Sequence, residues 1–142
     1  MIREYKKGDE IAIAAIEEDC FSMPWSAQVI KDALWEGARF LVYEKDGDIV
    51  GYLGVRRVLE IGFIYNVAVK EKYRRCGIGS ALLEELDHLA EKMGLEELTL
   101  EVRQSNSAAI SLYTKMGYEA DGIRPNFYEK PRENAIIMTK RR

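Results

Sequence analysis

Apolar positions along this chain change their spacing from one segment to the next, and those changes lay out strands, helices and turns. Ile2 to Tyr5 is a short strand candidate, and Gly8-Asp9 then supplies a turn and an N-cap for a helix through Ile11, Ala14, Ala15 and Glu18. After Phe21-Ser22-Met23-Pro24-Trp25, Ser26 caps a second helix predicted over Ala27 to Trp35. Arg39 to Glu44 and Ile49 to Arg56 read as strands, and Asp46-Gly47 between them is the pair a tight hairpin favours. A further strand, Leu59 to Val69, runs towards a helix whose apolar positions (Ile78, Ala81, Leu82, Leu86, Leu89, Met93) recur at helical spacing. Gly94 is a left-handed stop for that helix, and Lys92 is well placed against its dipole. Glu97 to Arg103 alternates, with Leu98, Leu100 and Val102 on one face and Thr99, Glu101 and Arg103 on the other. Ser105 or Asn106 caps a last predicted helix, which Gly117 ends. Strands in series, then helix, strand and helix, predict an α/β fold: a mixed sheet with helices on its faces, in a single domain over residues 1–142.

Binding chemistry first shows where the third of the longer strands meets the long helix. Asn66-Val67-Ala68-Val69 passes through Lys70-Glu71-Lys72-Tyr73 into Arg74-Arg75-Cys76-Gly77-Ile78-Gly79-Ser80. A helix start has unpartnered N–H groups and partial positive charge, so a diphosphate can sit there. Gly77 and Gly79 would let the backbone approach it, and Arg74 and Arg75 add charge. The chain has no Walker string, and Leu82 stands where a dinucleotide fingerprint needs a third glycine or alanine. A different phosphorylated cofactor is the ligand this turn suits, with a plain surface connection as the alternative.

Composition removes several other classes. A chain of 142 residues buries roughly two-thirds of its unfolded surface and needs no staples, and 47% hydrophobic with 32% charged residues describes an ordinary globular protein. No apolar run approaches the roughly 20 residues of a membrane helix, and no signal-peptide pattern opens the chain, so the expected location is the cytoplasm. Two cysteines, Cys20 and Cys76, and one histidine offer neither a disulfide framework nor a ligand cluster, so no metal is expected. A net charge of −3 and a pI of about 5.4 point away from nucleic acid, and leave Lys140-Arg141-Arg142 as a solvated end. The acidic body favours a basic partner weakly. His88, on the flank of its helix's apolar stripe, reads as a half-exposed surface group.

On periodicity alone Glu101 is an exposed strand glutamate paired with a neighbour, and Tyr113, one turn past Ala109 and Ile110, is a packing group. Phe21 and Trp25 also read as packing groups, although two aromatics flanking a proline can wall a cleft.

Longer strings turn these single residues into a pattern. Arg74-x-x-Gly77-x-Gly79 after a strand resembles the pyrophosphate loop of the GNAT superfamily of acetyl-CoA-dependent N-acetyltransferases. Leu100-Glu101-Val102-Arg103-x-Ser105-Asn106-x-x-Ala109-Ile110-x-Leu112-Tyr113-x-x-x-Gly117-Tyr118 is similar to the subgroup of ribosomal-protein-alanine N-acetyltransferases. Phe21-x-x-Pro24-Trp25-Ser26, Asn66 to Val69, Arg124-x-Asn126-Phe127-Tyr128 and Glu133 to Met138 extend the likeness over nearly the whole chain. The resemblance implies a mixed sheet splayed at its centre, with acetyl-CoA in the split. It implies that Val67, Ala68 and Val69, the loop Arg74, Arg75, Cys76, Gly77, Ile78, Gly79 and Ser80, and Asn106 contact the cofactor. Glu101 is then the proton acceptor and Tyr113 the proton donor. Phe127 departs from the pattern, standing where an aromatic hydroxyl is usual, and the segment from Tyr128 to Glu133 is short.

These residue types suit acetyl transfer. An α-amine with a pKa of about 8 needs modest help to lose its proton, which a carboxylate such as Glu101 gives directly or through water. A free N–H of Val67 or Val69 can stabilise an oxyanion, and the Tyr113 phenol can protonate the departing thiolate. A covalent route through Cys76 is disfavoured, because the phosphate loop lies away from the acetyl group. The expected function is N-terminal acetylation of a small-subunit ribosomal protein at alanine, by direct attack in a ternary complex. Trp25, Arg124, Asn126 and Tyr128 are the acceptor contacts, though Arg124 could equally pair with a structural carboxylate. Two rivals stay open: a same-fold enzyme acetylating a small amine or a lysine, and a non-catalytic acetyl-CoA-binding module. The oligomeric state also stays open, with a monomer possible.

Overall fold

In the computed structural model, which describes residues 1–142, the chain begins with β1 (Ile2–Glu4), α1 (Asp9–Cys20) and α2 (Ala27–Trp35). The strands β2 (Arg39–Lys45), β3 (Asp48–Val58) and β4 (Ile61–Val69) follow, then a 3₁₀ turn at Glu71–Tyr73 and α3 (Ile78–Met93). β5 (Glu97–Arg103), α4 (Ser107–Lys115), β6 (Glu119–Tyr128) and β7 (Glu133–Arg141) complete it. All seven strands join one mixed sheet in the order β1-β2-β3-β4-β5-β7-β6. Only the β4–β5 pair is parallel.

Helix starts follow the capping residues with one correction. Ser26 Oγ accepts the Val29 N–H at 3.2 Å, and Asn106 Oδ1 accepts the Ala109 N–H at 3.1 Å. Asp9, expected as a cap, is instead the first residue of α1, and Gly8 in a left-handed conformation is the cap position. The Asp9 carboxylate accepts the Lys6 N–H and is clamped by Arg3 at 2.7 Å, an attachment that holds β1 to α1. The buried face of α1 is also not the line through Ile11, which is 70% exposed; it comprises Glu10, Ile13, Ile16 and Glu17. β4 starts at Ile61 rather than Leu59, because Leu59 adopts positive φ in the turn from β3.

β6 and β7 were not predicted as strands. Asp121, Gly122, Pro125 and Asn126 interrupt any period-two pattern in β6, and an edge strand with a single partner tolerates such residues.

Both faces of the sheet are covered, so alternating strand residues enter two cores. Leu41, Leu53, Val55, Leu98 and Leu100 pack with Leu82, Leu83 and Leu86 of α3. Phe40, Val42, Tyr52 and Ala68 pack with Ile13 and Ile16 of α1 and Ile30 of α2.

The feature that makes room for a ligand is a split between β4 and β5. Their parallel pairing covers only Ile61 with Glu97, Gly62 with Leu98 and Phe63 with Thr99. On the other side of β4, Gly54 pairs with Asn66 while Val55 pairs with Ile64, so Tyr65 is an extra, bulged residue. A bulge bends its strand and raises the local twist. Here the bend falls where β4 leaves β5, and the β5-facing backbone edge of Ile64 to Val69 has no strand partner.

Candidate active site

The split opens into a cleft of about 440 Å³. Asn66 and Val67 line it from β4, and Glu101, Val102 and Arg103 from β5. Asn106, Ala109 and Tyr113 line it from α4, and Phe127, Tyr128 and Glu129 from the end of β6 and the turn after it. Glu17 and Cys20 of α1, with Phe21, Met23 and Trp25 of the following loop, complete the lining. The sequence-predicted residues Trp25, Val67, Glu101, Asn106, Tyr113 and Tyr128 thus share one cavity, although they come from five separate segments.

Strict alternation on β5 puts Leu100 and Val102 in the core and turns Glu101 to the other side. Its Oε2 lies 3.0 Å from Arg124 Nε, so Arg124 does pair with a carboxylate. That contact lacks hydrogen-bond geometry, and Oε2, which is shielded from solvent, has no hydrogen-bond partner in the chain. A buried acceptor without a donor is an opening for a proton-bearing ligand group.

Tyr113 is 7% exposed, and its ring meets Tyr118 edge-on at 6.0 Å. Burial, with the neighbouring Tyr128 phenol, pushes the Tyr113 hydroxyl above its ordinary pKa, so it stays protonated across the physiological range. Burial next to the Glu101 charge raises Tyr128 to about 12. The Arg103 guanidinium stacks over the Tyr128 ring at 4.5 Å and binds the carbonyls of Glu129 and Pro131 at 3.0 and 2.9 Å. Arg103 thereby ties the short segment before Glu133 into a turn. Phe127 is exposed, edge-on to Tyr128 at 5.0 Å, and carries no hydroxyl to offer the cleft.

Arg124 to Tyr128 owe their position to irregular pairing. Arg124 pairs with Ala135 and Tyr128 with Glu133, so four steps on β6 match two on β7. Asn126, in the loop-out with positive φ, donates its backbone N–H to Asn134 Oδ1 at 2.9 Å and is exposed rather than in the cleft.

The turn before α3 has Arg75 and Gly77 at positive φ, and no side chain caps the helix. Its first-turn N–H groups are therefore free for an anion. Arg74 points back: Nε donates to the Val69 carbonyl at 3.1 Å and Nη2 lies 3.3 Å from Cys20 Sγ. Arg75 and Cys76 are exposed, Ser80 is half-buried, and Ala68 and Ile78 are core residues that can offer a ligand only backbone. A Cβ on Gly79 would stand 3.0 Å from Leu112 Cδ2, so that glycine admits α4 rather than leaving open space.

Periodicity missed Glu17, which is 1% exposed. Its Oε1 accepts the Trp25 N–H at 2.8 Å, and Oε2 accepts from the Tyr52 hydroxyl and from Asn66 Nδ2. Burial pushes this carboxyl above its usual range, while donation from Tyr52, Trp25 and Asn66 opposes the shift. The signal was present: Ile13, Glu17 and Cys20 are spaced to share one helix face, and a carboxylate there cannot be a solvated one. No group of three or more histidine, cysteine, aspartate or glutamate residues could hold a metal ion. An open hollow at Ala15, Asp19 and Lys70 to Lys72 carries none of this chemistry.

A family model described as the acetyltransferase (GNAT) family matches residues 11–118, a span that includes the split between β4 and β5 and the uncapped start of α3. The chain belongs to the GNAT family. It is an acetyl-CoA-dependent acetyltransferase. Among its relatives, the ribosomal protein bS18-alanine N-acetyltransferase of Escherichia coli (strain K12) is 39% identical over 127 residues, 87% of this chain and 84% of that one. A solved ribosomal-protein-S18-alanine N-acetyltransferase from Escherichia coli superposes with a TM-score of 0.92 at 35% identity, covering 99% of this chain and 92% of the other. Ard1 from Thermoplasma volcanium gives 0.91 at 29%, covering 99% and 96%. In this GNAT enzyme no helix is long and apolar enough to cross a membrane.

Proposed function

We propose that this chain acts as one cytoplasmic domain that acetylates the N-terminal alanine of a ribosomal protein of the bS18 type, with no nucleic-acid partner. The observation that carries the reading is the convergence of Glu101 and Tyr113 on one cleft, beside the unpaired edge of β4. The relatives named for that substrate add support over most of the chain.

Bound acetyl-CoA supplies the activated acetyl thioester. The free N–H groups at the start of α3, with Arg75, take the diphosphate end, and Asn106 flanks the same path. The unpaired N–H edge at Val67 to Val69 donates to the acetyl carbonyl oxygen as negative charge builds there. Glu101 accepts the proton of the incoming α-amine, directly or through water, and Arg124 holds the carboxylate in place. Tyr113 gives its proton to the departing sulfur; a phenol kept neutral by burial always has one to give. The acceptor peptide enters between the Phe21–Ser26 loop and Arg124 to Tyr128, where Trp25, Tyr128 and the rim residue Asn126 can contact its first peptide groups.

The test is a competition between amines. A peptide starting with alanine should be acetylated at its α-amine far faster than the same peptide with that amine blocked and an internal lysine free, as mass spectrometry reads directly. Preferential modification of the lysine would move the assignment to a side-chain acetyltransferase, and modification of neither to a small amine.

A further inference from the structure

We propose that Glu17 is a positioning residue that sets affinity for the acceptor by fastening the Phe21–Ser26 loop to the floor of the cleft. This rests on reading that loop as the acceptor-side wall. Phe21 and Trp25 are only partly buried against the core around Ile13 and Ile16, and the loop's hydrogen bonds are few. From Phe21 to Trp25 the hydrogen bonds to the rest of the chain are two: the Phe21 N–H to the Glu17 carbonyl at 2.9 Å, and the Trp25 N–H to Glu17 Oε1 at 2.8 Å. Both end on Glu17. Beyond them the Trp25 ring rests on Tyr65, the bulged residue of β4, with centroids 5.0 Å apart.

The second carboxylate oxygen carries the attachment across the sheet. Oε2 accepts from the Tyr52 hydroxyl of β3 and from Asn66 Nδ2 at 3.2 Å. Asn66 immediately precedes Val67, at the place where β4 leaves β5. One side chain therefore joins the acceptor loop to the strand edge against which the acetyl group is read. Val67 to Val69 do not depend on Glu17 for their own place, because the ladder to Leu53, Tyr52 and Gly51 already fixes them. Losing Glu17 should thus release the loop and leave the cofactor side in order.

Hydrogen bonding, not charge, is the property this role needs. All three donors to the carboxylate are neutral, and no cation pairs with it. A glutamine can keep its Oε1 on the Trp25 N–H. Its Nε2 can donate to the Tyr52 hydroxyl oxygen, or to Asn66 Oδ1 once that amide turns over. A leucine fills similar space and holds nothing. A proton-transfer role would treat the two substitutions alike.

The experiment compares Glu17→Gln and Glu17→Leu with the alanine-starting peptide and acetyl-CoA. Glu17→Leu should raise the peptide KM about tenfold or more while the acetyl-CoA KM changes by less than about twofold, and Glu17→Gln should keep both near wild type. An unchanged peptide KM in folded Glu17→Leu overturns the proposal, as does a Glu17→Gln variant that loses kcat with KM intact. Amide hydrogen exchange on the wild-type protein covers the case in which Glu17→Leu does not fold. The Trp25 N–H should be protected well beyond those of Ser22 and Met23, and an unprotected Trp25 overturns the fastening. That measurement needs no substrate, so it stands even if the peptide is not acetylated, a result that would remove the proposed acceptor instead.

Discussion

Arg124 Nε sits 3.0 Å from Glu101 Oε2 without making a hydrogen bond to it, so the edge strand β6 supplies charge to the cleft's carboxylate and leaves its lone pairs free. A cation beside the carboxylate that takes no hydrogen bond from Oε2 leaves that oxygen open to an incoming amine.

Arg124→Gln should therefore affect catalysis more than stability. The Arg124 side chain is 57% exposed, so the screened pair contributes under about 1 kcal/mol to folding. Melting temperature should hardly move while kcat/KM falls up to about tenfold, the equivalent of roughly 1.4 kcal/mol in the transition state. Thermal melts and steady-state rates on the same preparation check both halves.

Glu101→Gln keeps the shape of the side chain and removes its basicity. Turnover should drop by about a hundredfold to ten-thousandfold, the usual reach of general acid–base catalysis, and most below about pH 8, where the α-amine is protonated. Acetyl-CoA affinity should stay near wild type by calorimetry. A variant with normal rates across the pH range would remove Glu101 as the base.

Tyr113→Phe removes a hydroxyl with no hydrogen-bonding partner among the groups that shift its pKa, and leaves the ring packed on Tyr118. Stability should change little, and the single-turnover rate should fall by at least about a hundredfold. An unchanged rate would leave Tyr113 as a packing residue.

The buried phenols also predict alkaline sensitivity. Burial raises Tyr52, Tyr113 and Tyr118 above the ordinary value of 10.0. In the unfolded chain they ionise near that value, whereas the folded chain holds their protons to higher pH. Their stabilising effect is thus complete below about pH 10 and is lost as pH rises towards the folded values. Urea midpoints should fall as pH rises above about 10, and Tyr113→Phe should make the decline shallower.

At the start of α3, two glycines should fail for different reasons. Gly77 has φ 79, so Gly77→Val strains the backbone by about 1–2 kcal/mol and disturbs the free N–H groups. Gly79→Val drives into Leu112 and should cost about 1–3 kcal/mol through displaced packing of α4. Calorimetry should show weaker acetyl-CoA binding in both. Full affinity in a folded Gly77→Val variant would remove the turn from the cofactor site.

The sequence by itself determined the local elements whose cause is local. Ser26 and Asn106 cap the helices they begin, Asp46-Gly47 turns the β2–β3 hairpin, and alternation along β5 turns Glu101 away from Leu100 and Val102. The family strings also named Glu101, Tyr113 and Asn106, which do meet at one cleft. Tertiary structure decided what depends on distant partners. The split arises because β4 and β5 stop pairing after Phe63 and Thr99 while a bulge at Tyr65 bends β4, and no periodicity encodes where two remote strands part. β6 is a strand despite Gly122 and Pro125 because β7 pairs with it, and Arg124 reaches Glu101 only through that pairing. Spacing puts Glu17 on the helix face of Ile13 and Cys20, and only the fold brings its oxygens to Trp25, Tyr52 and Asn66. A side chain's spacing says which face it is on; what it meets there is set by elements 8 to 49 residues away, brought together only by the folded sheet.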